Sequence, residues 1–354
     1  MRQIPDPASP TIHAVLEQAL ARRPASFWQG FGGKRILMSG GTGFFGQWVA
    51  GLLLAADRTH QLGITLRLIT RSPERARITM PHITDHPRVS LEPCDLAWCR
   101  PADAPADLVI HGAADASATL NTHHPEAMLR TVVDGTRNML SWATRHRPER
   151  FLLISSGAVY GRQPPDLAHL HEEWQGGPDP LLVDSAYAEG KRVAEQWCAA
   201  TAREQGLAGL TIARPFAFSG PWLPLDRHFA IGNLMADLVA GRPLTLHGDG
   251  TAIRSYLDGG DLAVWLLTIL MEGAPLRPYN VGSAEAITLA ELQATIAALI
   301  PGGAPFRIMQ QADPGRLAHR YVPDVRRARE ELGLETWTDL QTSLRSWRAW
   351  LEGH

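Results

Sequence analysis

Tyr187 and Lys191 stand four residues apart within Ala186 to Glu204, a segment with a helical pattern. Residues at i and i+4 share one helical face, so a phenol and an ammonium meet there. A free tyrosine titrates near ~10, and a neighbouring ammonium favours the phenolate, which makes Tyr187 a candidate acid/base near neutral pH. The spacing alone is common on solvated helices and carries little weight. Two upstream segments supply the context.

In the first, Ser39-Gly40-Gly41-Thr42-Gly43-Phe44-Phe45-Gly46 follows the apolar run Ile36-Leu37-Met38 and opens the amphipathic stretch Gln47 to Ala56. Strand, glycine turn and helix in that order suit a dinucleotide. Gly40, Gly43 and Gly46 allow a tight turn, close approach to a pyrophosphate and close helix-to-strand packing. In the second, the buried-strand pattern of Phe151 to Ile154 ends in Ser155-Ser156-Gly157-Ala158-Val159-Tyr160-Gly161. Ligands of open parallel sheets lie beyond the carboxyl ends of the strands, where Ser156 falls. A serine there could also cap the next turn; beside the glycine turn and the Tyr187/Lys191 pair, the catalytic reading is preferred.

The elements that must position these residues alternate. Ile64 to Thr70, Val89 to Leu91, Leu108 to His111, Phe151 to Ser155 and Leu210 to Ala213 read as strands, with helical patterns at Glu126 to Arg145 and Ala186 to Glu204. This predicts an α/β fold, a doubly wound parallel sheet. After Arg214, the stretches Pro221 to Pro224, Gly241 to Pro243 and Gly248 to Gly250 separate shorter elements, while Asp261 to Met271 and Tyr279-Asn280-Val281 read as a helix and a returning strand. The expected organisation is an N-terminal extension over 1–33, a dinucleotide-binding (Rossmann) domain over 34–215 and 255–281, and a smaller substrate domain over 216–254 and 282–354. Within the extension, Thr11 to Arg22 has a helical pattern, and Phe27, Trp28 and Phe31 could pack it onto the body.

At 354 residues with 45% hydrophobic content the chain can bury a large core, and a net charge of -2 gives no electrostatic case for nucleic acid. Cys94, Cys99 and Cys198 form no repeated C-x-x-C pattern, which suggests a reducing compartment rather than a disulfide scaffold. The closest histidine groupings, His123-His124 and His169-x-His171, lack the company of a zinc site, so no metal is expected. No apolar run approaches the ~20 residues needed to span a bilayer, and Met1-Arg2-Gln3-Ile4-Pro5-Asp6-Pro7 has no signal-peptide core. The expectation is a cytoplasmic protein without membrane partners.

Taken together, the chain resembles the extended short-chain dehydrogenase/reductase superfamily, in its nucleotide-sugar epimerase/dehydratase branch, over about residues 34 to 335. The motifs fall in the expected order: the glycine turn, Cys94-Asp95-Leu96, His111-Gly112-Ala113-Ala114, Ser155 to Gly161, Tyr187 with Lys191, Arg214-Pro215-Phe216 with Gly220-Pro221, Arg254-Ser255-Tyr256-Leu257-Asp258 with Asp261, and Tyr279-Asn280-Val281-Gly282-Ser283.

The resemblance implies a sugar alcohol oxidised by NAD or NADP. Tyr187 would take the proton, Ser156 would bond the same oxygen, and Lys191 would hold the nicotinamide ribose and keep Tyr187 ionisable. It further implies a cofactor site of Gly40, Thr42, Gly43, Phe44, Phe45, Gly46, Arg71, Asp95, Leu96, Ala113, Ala114, Ser155, Tyr187, Lys191 and Pro215, with Asp95 at the adenine edge. Arg254 would pair with the diphosphate of a nucleotide-sugar, and Ser156, Phe216, Phe229, Asn233 and Arg316 would surround the substrate. A homodimer is the expected assembly. Two departures matter. The family's asparagine before a Gly-Thr pair is Val132 here, which puts a water relay through that helix in doubt. At the end of the second strand, Thr70-Arg71-Ser72 replaces the carboxylate that binds NAD ribose, so Arg71 tilts the expectation towards NADP, with stacking on the adenine as the rival role.

The reaction type follows from Gly157-Ala158. Dehydratases of this branch commonly carry an Asp-Glu pair after the catalytic hydroxyl, and decarboxylases a glutamate nearby; neither is present. An epimerase acting through a 4-keto sugar is expected. A 4-ketoreductase, which Arg71 would favour, is the alternative, with a 4,6-dehydratase or a non-catalytic dinucleotide-binding protein ranked below it.

Overall fold

The computed structural model describes residues 9–113, 118–225, 229–313, 315 and 317–353. Seven strands, β1 Arg35–Ser39, β2 Thr65–Thr70, β3 Val89–Pro93, β4 Leu108–His111, β5 Arg150–Ile154, β6 Leu210–Pro215 and β7 Pro278–Val281, form one sheet. Their spatial order is β7-β6-β5-β4-β1-β2-β3, and every pairing is parallel. Strands β4 and β5 are near-continuous apolar runs because helices cover both faces. Ile36 and Met38 join a core with Trp48, Leu53 and Trp265 on one face, whereas Leu37, between them, joins Val109, Leu153 and Met139 on the other. That alternation is the period-2 consequence of strand geometry.

Five helices matter for the site: α1 Pro10–Ala21, α2 Phe44–His60, α3 Pro125–His146, α4 Ala186–Gln205 and α5 Gly259–Glu272. Helix α5 is buried almost all round, with Leu262 through Leu270 fully inside. It is a core helix; among the described residues no helix is long and apolar enough to cross a membrane. Helix α1 starts at Pro10, with Ser9 Oγ accepting from Ile12 N–H, and buries Ile12, Leu16 and Ala19. Trp28 and Phe31 are fully buried behind it. The segment after Arg214 adds short strands, among them Ile253–Arg254, which lies between Ile287–Thr288 and Arg320–Tyr321.

The chain order reverses between β1 and β4. Connections run outward from β1 through β2 to β3, then cross back to β4, which leaves a crevice where the carboxyl ends of β1 and β4 part. One sequence expectation is corrected here: Cys94 and Cys99 form a disulfide. The Asp95 carboxylate accepts from Ala97 N–H at 3.1 Å, and the Asp95 carbonyl accepts from Cys99 N–H at 2.9 Å, folding the loop back so that the sulfurs meet. The cysteine argument for a reducing compartment therefore falls, since only Cys198 remains free, and buried.

Candidate active site

The glycine turn occupies the β1/β4 crevice. Gly40 has φ +75, and a Cβ there would lie 2.6 Å from the Gly112 carbonyl carbon, so a side chain is excluded on both counts. A Cβ on Gly46 would overlap Gly41 and the Gly40 carbonyl, so this glycine lets α2 pack against the turn. Gly43 is the residue before α2, exposed, with no side-chain cap on the first helical turn. The unpaired N–H groups of that turn, the positive end of a 17-residue helix and a cradle that side chains would fill together fit a dinucleotide pyrophosphate. Thr42, Phe44 and Phe45 line the turn half-buried, Phe45 packing edge-on to Phe218 at 4.9 Å.

Beneath the turn lies a chain of hydrogen bonds. Thr136 Oγ1 donates to the Val132 carbonyl at 2.7 Å and lies 3.1 Å from His111 Nε2, while His111 Nδ1 lies 2.7 Å from Ser39 Oγ. Thr136 has one hydroxyl proton and has spent it, so Nε2 carries the imidazole proton and Nδ1 accepts from Ser39. Ser39 Oγ in turn accepts from Ala113 N–H at 3.2 Å. Burial, with the Lys191 charge nearby, pushes the His111 pKa down to about 3. A neutral histidine thus ties β1, β4 and α3 together under the crevice.

Ser156 follows β5 as expected and caps the short turn Gly157–Tyr160, its Oγ accepting from Ala158 N–H at 3.1 Å. The capping and catalytic readings of this serine are compatible. Tyr187 is half-buried in the first turn of α4, where Asn121 Oδ1 accepts from its backbone N–H at 2.9 Å. Its phenol faces the Ser156 hydroxyl. Burial raises the Tyr187 pKa, and hydrogen bonding with Ser156 opposes that rise. Lys191 is buried, its Nζ 5.8 Å from the Tyr187 ring centroid and donating to the Ile154 carbonyl at 2.7 Å. The expected lowering of Tyr187 by Lys191 is not what sets its pKa: burial raises it, and the opposing group is Ser156. Desolvation also brings Lys191 down to about 8, with Glu195 opposing.

A third group stands here that the sequence did not single out. The Tyr321 phenol also faces Ser156, with its pKa raised by burial and held back by hydrogen bonding with Ser156. Phe216 stacks on Tyr321 at 4.5 Å and 30°. A Cβ on Gly157 would lie 2.6 Å from the Tyr321 hydroxyl and 2.7 Å from the Phe216 ring, so position 157 holds glycine because these two rings fill its space. Tyr321 reaches the site by pairing with Arg254 in a strand bridge, a contact between distant parts of the chain that leaves no local spacing signal.

The remaining expected residues divide. Ser155 turns away from the crevice, its hydroxyl donating to Glu195 at 2.5 Å, and Glu195 is bonded to Arg214 at 2.6 Å. Arg214 donates to Tyr160 Oη at 2.9 Å, which donates to Asn280 at 2.7 Å, so Ser155 belongs to a buried bracing network. The Asp95 carboxylate closes its own turn, and Leu96 is buried below it against α3, its carbonyl accepting from Asn138 at 2.8 Å. Arg71 is exposed just past β2, and Pro215 is buried at the end of β6. Arg254 donates to the Ile253 and His319 carbonyls at 2.8 and 3.0 Å; its pKa is lowered by burial, with the Tyr256 and Tyr321 phenols opposing. Phe229 and Asn233, one turn apart at the start of the helix Ala230–Val239, are half-buried. Ala114 and Arg316 lie outside the described residues.

A doubly wound parallel sheet with a glycine cradle and a Ser/Tyr/Lys cluster at its carboxyl edge defines an enzyme of the extended short-chain dehydrogenase/reductase type. The chain belongs to the NAD dependent epimerase/dehydratase family, whose sequence profile matches residues 36–282. It is 32% identical over 312 residues to UDP-glucuronic acid decarboxylase 3 of Arabidopsis thaliana, covering 88% of this chain and 86% of that one. Among solved structures it is similar to the Thermus thermophilus UDP-glucose 4-epimerase in complex with NAD, with TM-score 0.74, 23% identity and coverage of 90% and 99% of the two chains. It is also similar to the Streptomyces venezuelae dTDP-glucose 4,6-dehydratase with NAD bound, with TM-score 0.75, 23% identity and coverage of 90% and 97%. These likenesses establish the fold.

Proposed function

We propose that this enzyme interconverts C4 epimers of a nucleotide-diphosphate sugar through a 4-keto intermediate. Tyr187 takes the proton of the C4 hydroxyl, Ser156 bonds the same oxygen, and Lys191 holds the nicotinamide ribose. Bound NAD would supply the hydride acceptor and, on the return, the donor. Arg254, with no carboxylate partner among the described residues, suits the diphosphate. The likeness to a UDP-glucuronic acid decarboxylase supports a nucleotide-sugar substrate.

The observation that carries the choice of reaction is Gly157. No carboxylate can occupy that position while Tyr321 and Phe216 fill it, and Ala158 has no titratable group. Elimination of water, or catalysis by a glutamate beside the serine, then lacks its acid or base. A second reading, an NADPH-dependent 4-ketoreductase, is favoured by Arg71 standing where an NAD site would have a carboxylate. Incubation with UDP-hexoses, UDP-glucuronic acid and dTDP-glucose, followed by mass spectrometry, separates the outcomes. Epimerisation leaves the mass unchanged and reduction adds two hydrogens, whereas efficient loss of water or carbon dioxide overturns the proposal. We also propose a homodimer through the outer faces of α3 and α4, where Leu129 and Val193 are exposed; light scattering would give the mass.

A further inference from the structure

The Cys94–Cys99 disulfide closes a loop at the carboxyl end of β3. The sheet order shows what that loop borders. The glycine turn after β1 is the pyrophosphate cradle, and the Ser156/Tyr187 cluster lies beyond β5, on the β4 side of β1. The ends of β2 and β3, on the opposite side of β1, are therefore left for the adenosine half of a dinucleotide. The loop is tied to that edge: Cys94 N–H donates to the Thr70 carbonyl at 3.0 Å, one residue before Arg71.

The loop has an anchored half and a hanging half. Cys94 is buried, and Leu96 packs on Gly135 of α3, its carbonyl accepting from Asn138 at 2.8 Å. Among the described residues, the N–H groups of the second half bond only within the loop. That of Ala97 goes to Asp95 Oδ1 at 3.1 Å, and those of Trp98 and Cys99 go to the Asp95 carbonyl at 2.8 and 2.9 Å. Trp98 is 71% exposed, with the Arg130 guanidinium 4.7 Å from its ring centroid. The disulfide is thus the brace that fixes the hanging half to the anchored one, and with it the Asp95 turn. The reduced form is also provided for: Cys94 Sγ lies 3.7 Å from the Arg100 carbonyl oxygen, an acceptor that a thiol can use and a disulfide sulfur cannot.

We propose that Cys94 and Cys99 form a redox switch on cofactor affinity: the disulfide holds the Asp95 turn ready for the adenosine half, and the dithiol form, with residues 97–99 loosened, binds it more weakly. The reductant is a dithiol. Its thiolate attacks Cys99 Sγ, the half-buried sulfur, and the Cys94–Cys99 bond breaks with its electron pair on Cys94 Sγ, which takes a proton. The second thiol of the reductant then displaces Cys99, so that the reductant ends as a disulfide and both cysteines as thiols. The switch rests on the dinucleotide fold and not on which sugar reaction the enzyme performs.

The test is calorimetry of the full chain with NAD and with AMP, after treatment with oxidised glutathione or with dithiothreitol. Thiol alkylation followed by mass spectrometry fixes the redox state: of the three cysteines, only Cys198 should label in the unfolded oxidised protein, and all three in the reduced one. Reduction should weaken NAD and AMP alike by roughly tenfold, the scale of ordering about one residue's backbone on binding. Re-oxidation should restore both affinities. Hydrogen exchange at the Ala97, Trp98 and Cys99 amides should quicken in the reduced protein. Cys99→Ser should hold the weak affinity and ignore dithiothreitol; if that variant does not fold, the reversible change in the wild type decides alone. Unchanged affinities in protein shown to be reduced overturn the proposal, as does a loss for NAD without a loss for AMP. A pair that stays reduced under oxidised glutathione overturns it too.

Discussion

Gly190 lies directly against Val132: a Cβ built on Gly190, between Tyr187 and Lys191 on α4, would lie 3.2 Å from the Val132 Cβ on α3. The missing side chain lets the two helices approach, and Val132 fills the gap at 1% exposure. The position where the resemblance implies an asparagine is thus a packed apolar contact here. Val132→Asn should lower stability by about 1–3 kcal/mol, the cost of a buried amide without partners, and should not raise turnover. Urea denaturation would check this; an unchanged midpoint would mean that the amide finds partners in the crevice.

Tyr187→Phe tests the acid/base assignment most directly. It removes one hydroxyl and little volume, so cofactor affinity measured by calorimetry should be retained while turnover falls by roughly a hundredfold or more. Wild-type turnover in this variant would remove Tyr187 from the reaction.

The framework was legible because its signals are local. Apolar runs such as Leu108 to His111 mark strands buried on both faces, and Ser39 to Gly46 carries its turn chemistry in eight consecutive residues. What was not legible depends on contacts between distant segments. Tyr321 reaches Ser156 only through its bridge with Arg254, and Ser155 turns towards Glu195 because Arg214 on β6 holds that carboxylate. The Cys94–Cys99 bond depends on an Asp95 turn that cysteine spacing does not reveal. The Tyr187 and Lys191 spacing does not reveal the electrostatics of the pair, since burial, invisible to spacing, raises the Tyr187 pKa.

The proposed NADP reading rests on Arg71, exposed past the end of β2, where Thr70-Arg71-Ser72 has no carboxylate. Arg71→Asp replaces a group suited to a 2′-phosphate with one that repels it. Affinity for NADP should fall, and affinity for NAD should hold or improve. Equal changes for both cofactors in calorimetry would assign Arg71 to adenine stacking or to no contact.

His111 gives the protein a pH dependence with a definite sign. Its imidazole is buried neutral, with a pKa of about 3 against 6.5 in the ordinary state. Between these values the unfolded chain binds a proton that the folded protein does not, so stability falls as pH falls below about 6.5 and is unaffected by this group above it. At about 1.4 kcal/mol per pH unit, the loss from this residue alone reaches about 2 kcal/mol at pH ~5. Burial, with the Lys191 charge nearby, explains the resistance to protonation, and in the neutral form both nitrogens are already paired, Nδ1 accepting from Ser39 and Nε2 giving its proton to Thr136. His111→Gln cannot titrate. It should be less stable than the wild type at pH ~7, where it loses part of the network, and the difference should shrink by about 2 kcal/mol on going to pH ~5. Urea midpoints of both proteins at the two pH values decide the matter; a difference that stays constant would mean that His111 is protonated, or accessible, in the folded state.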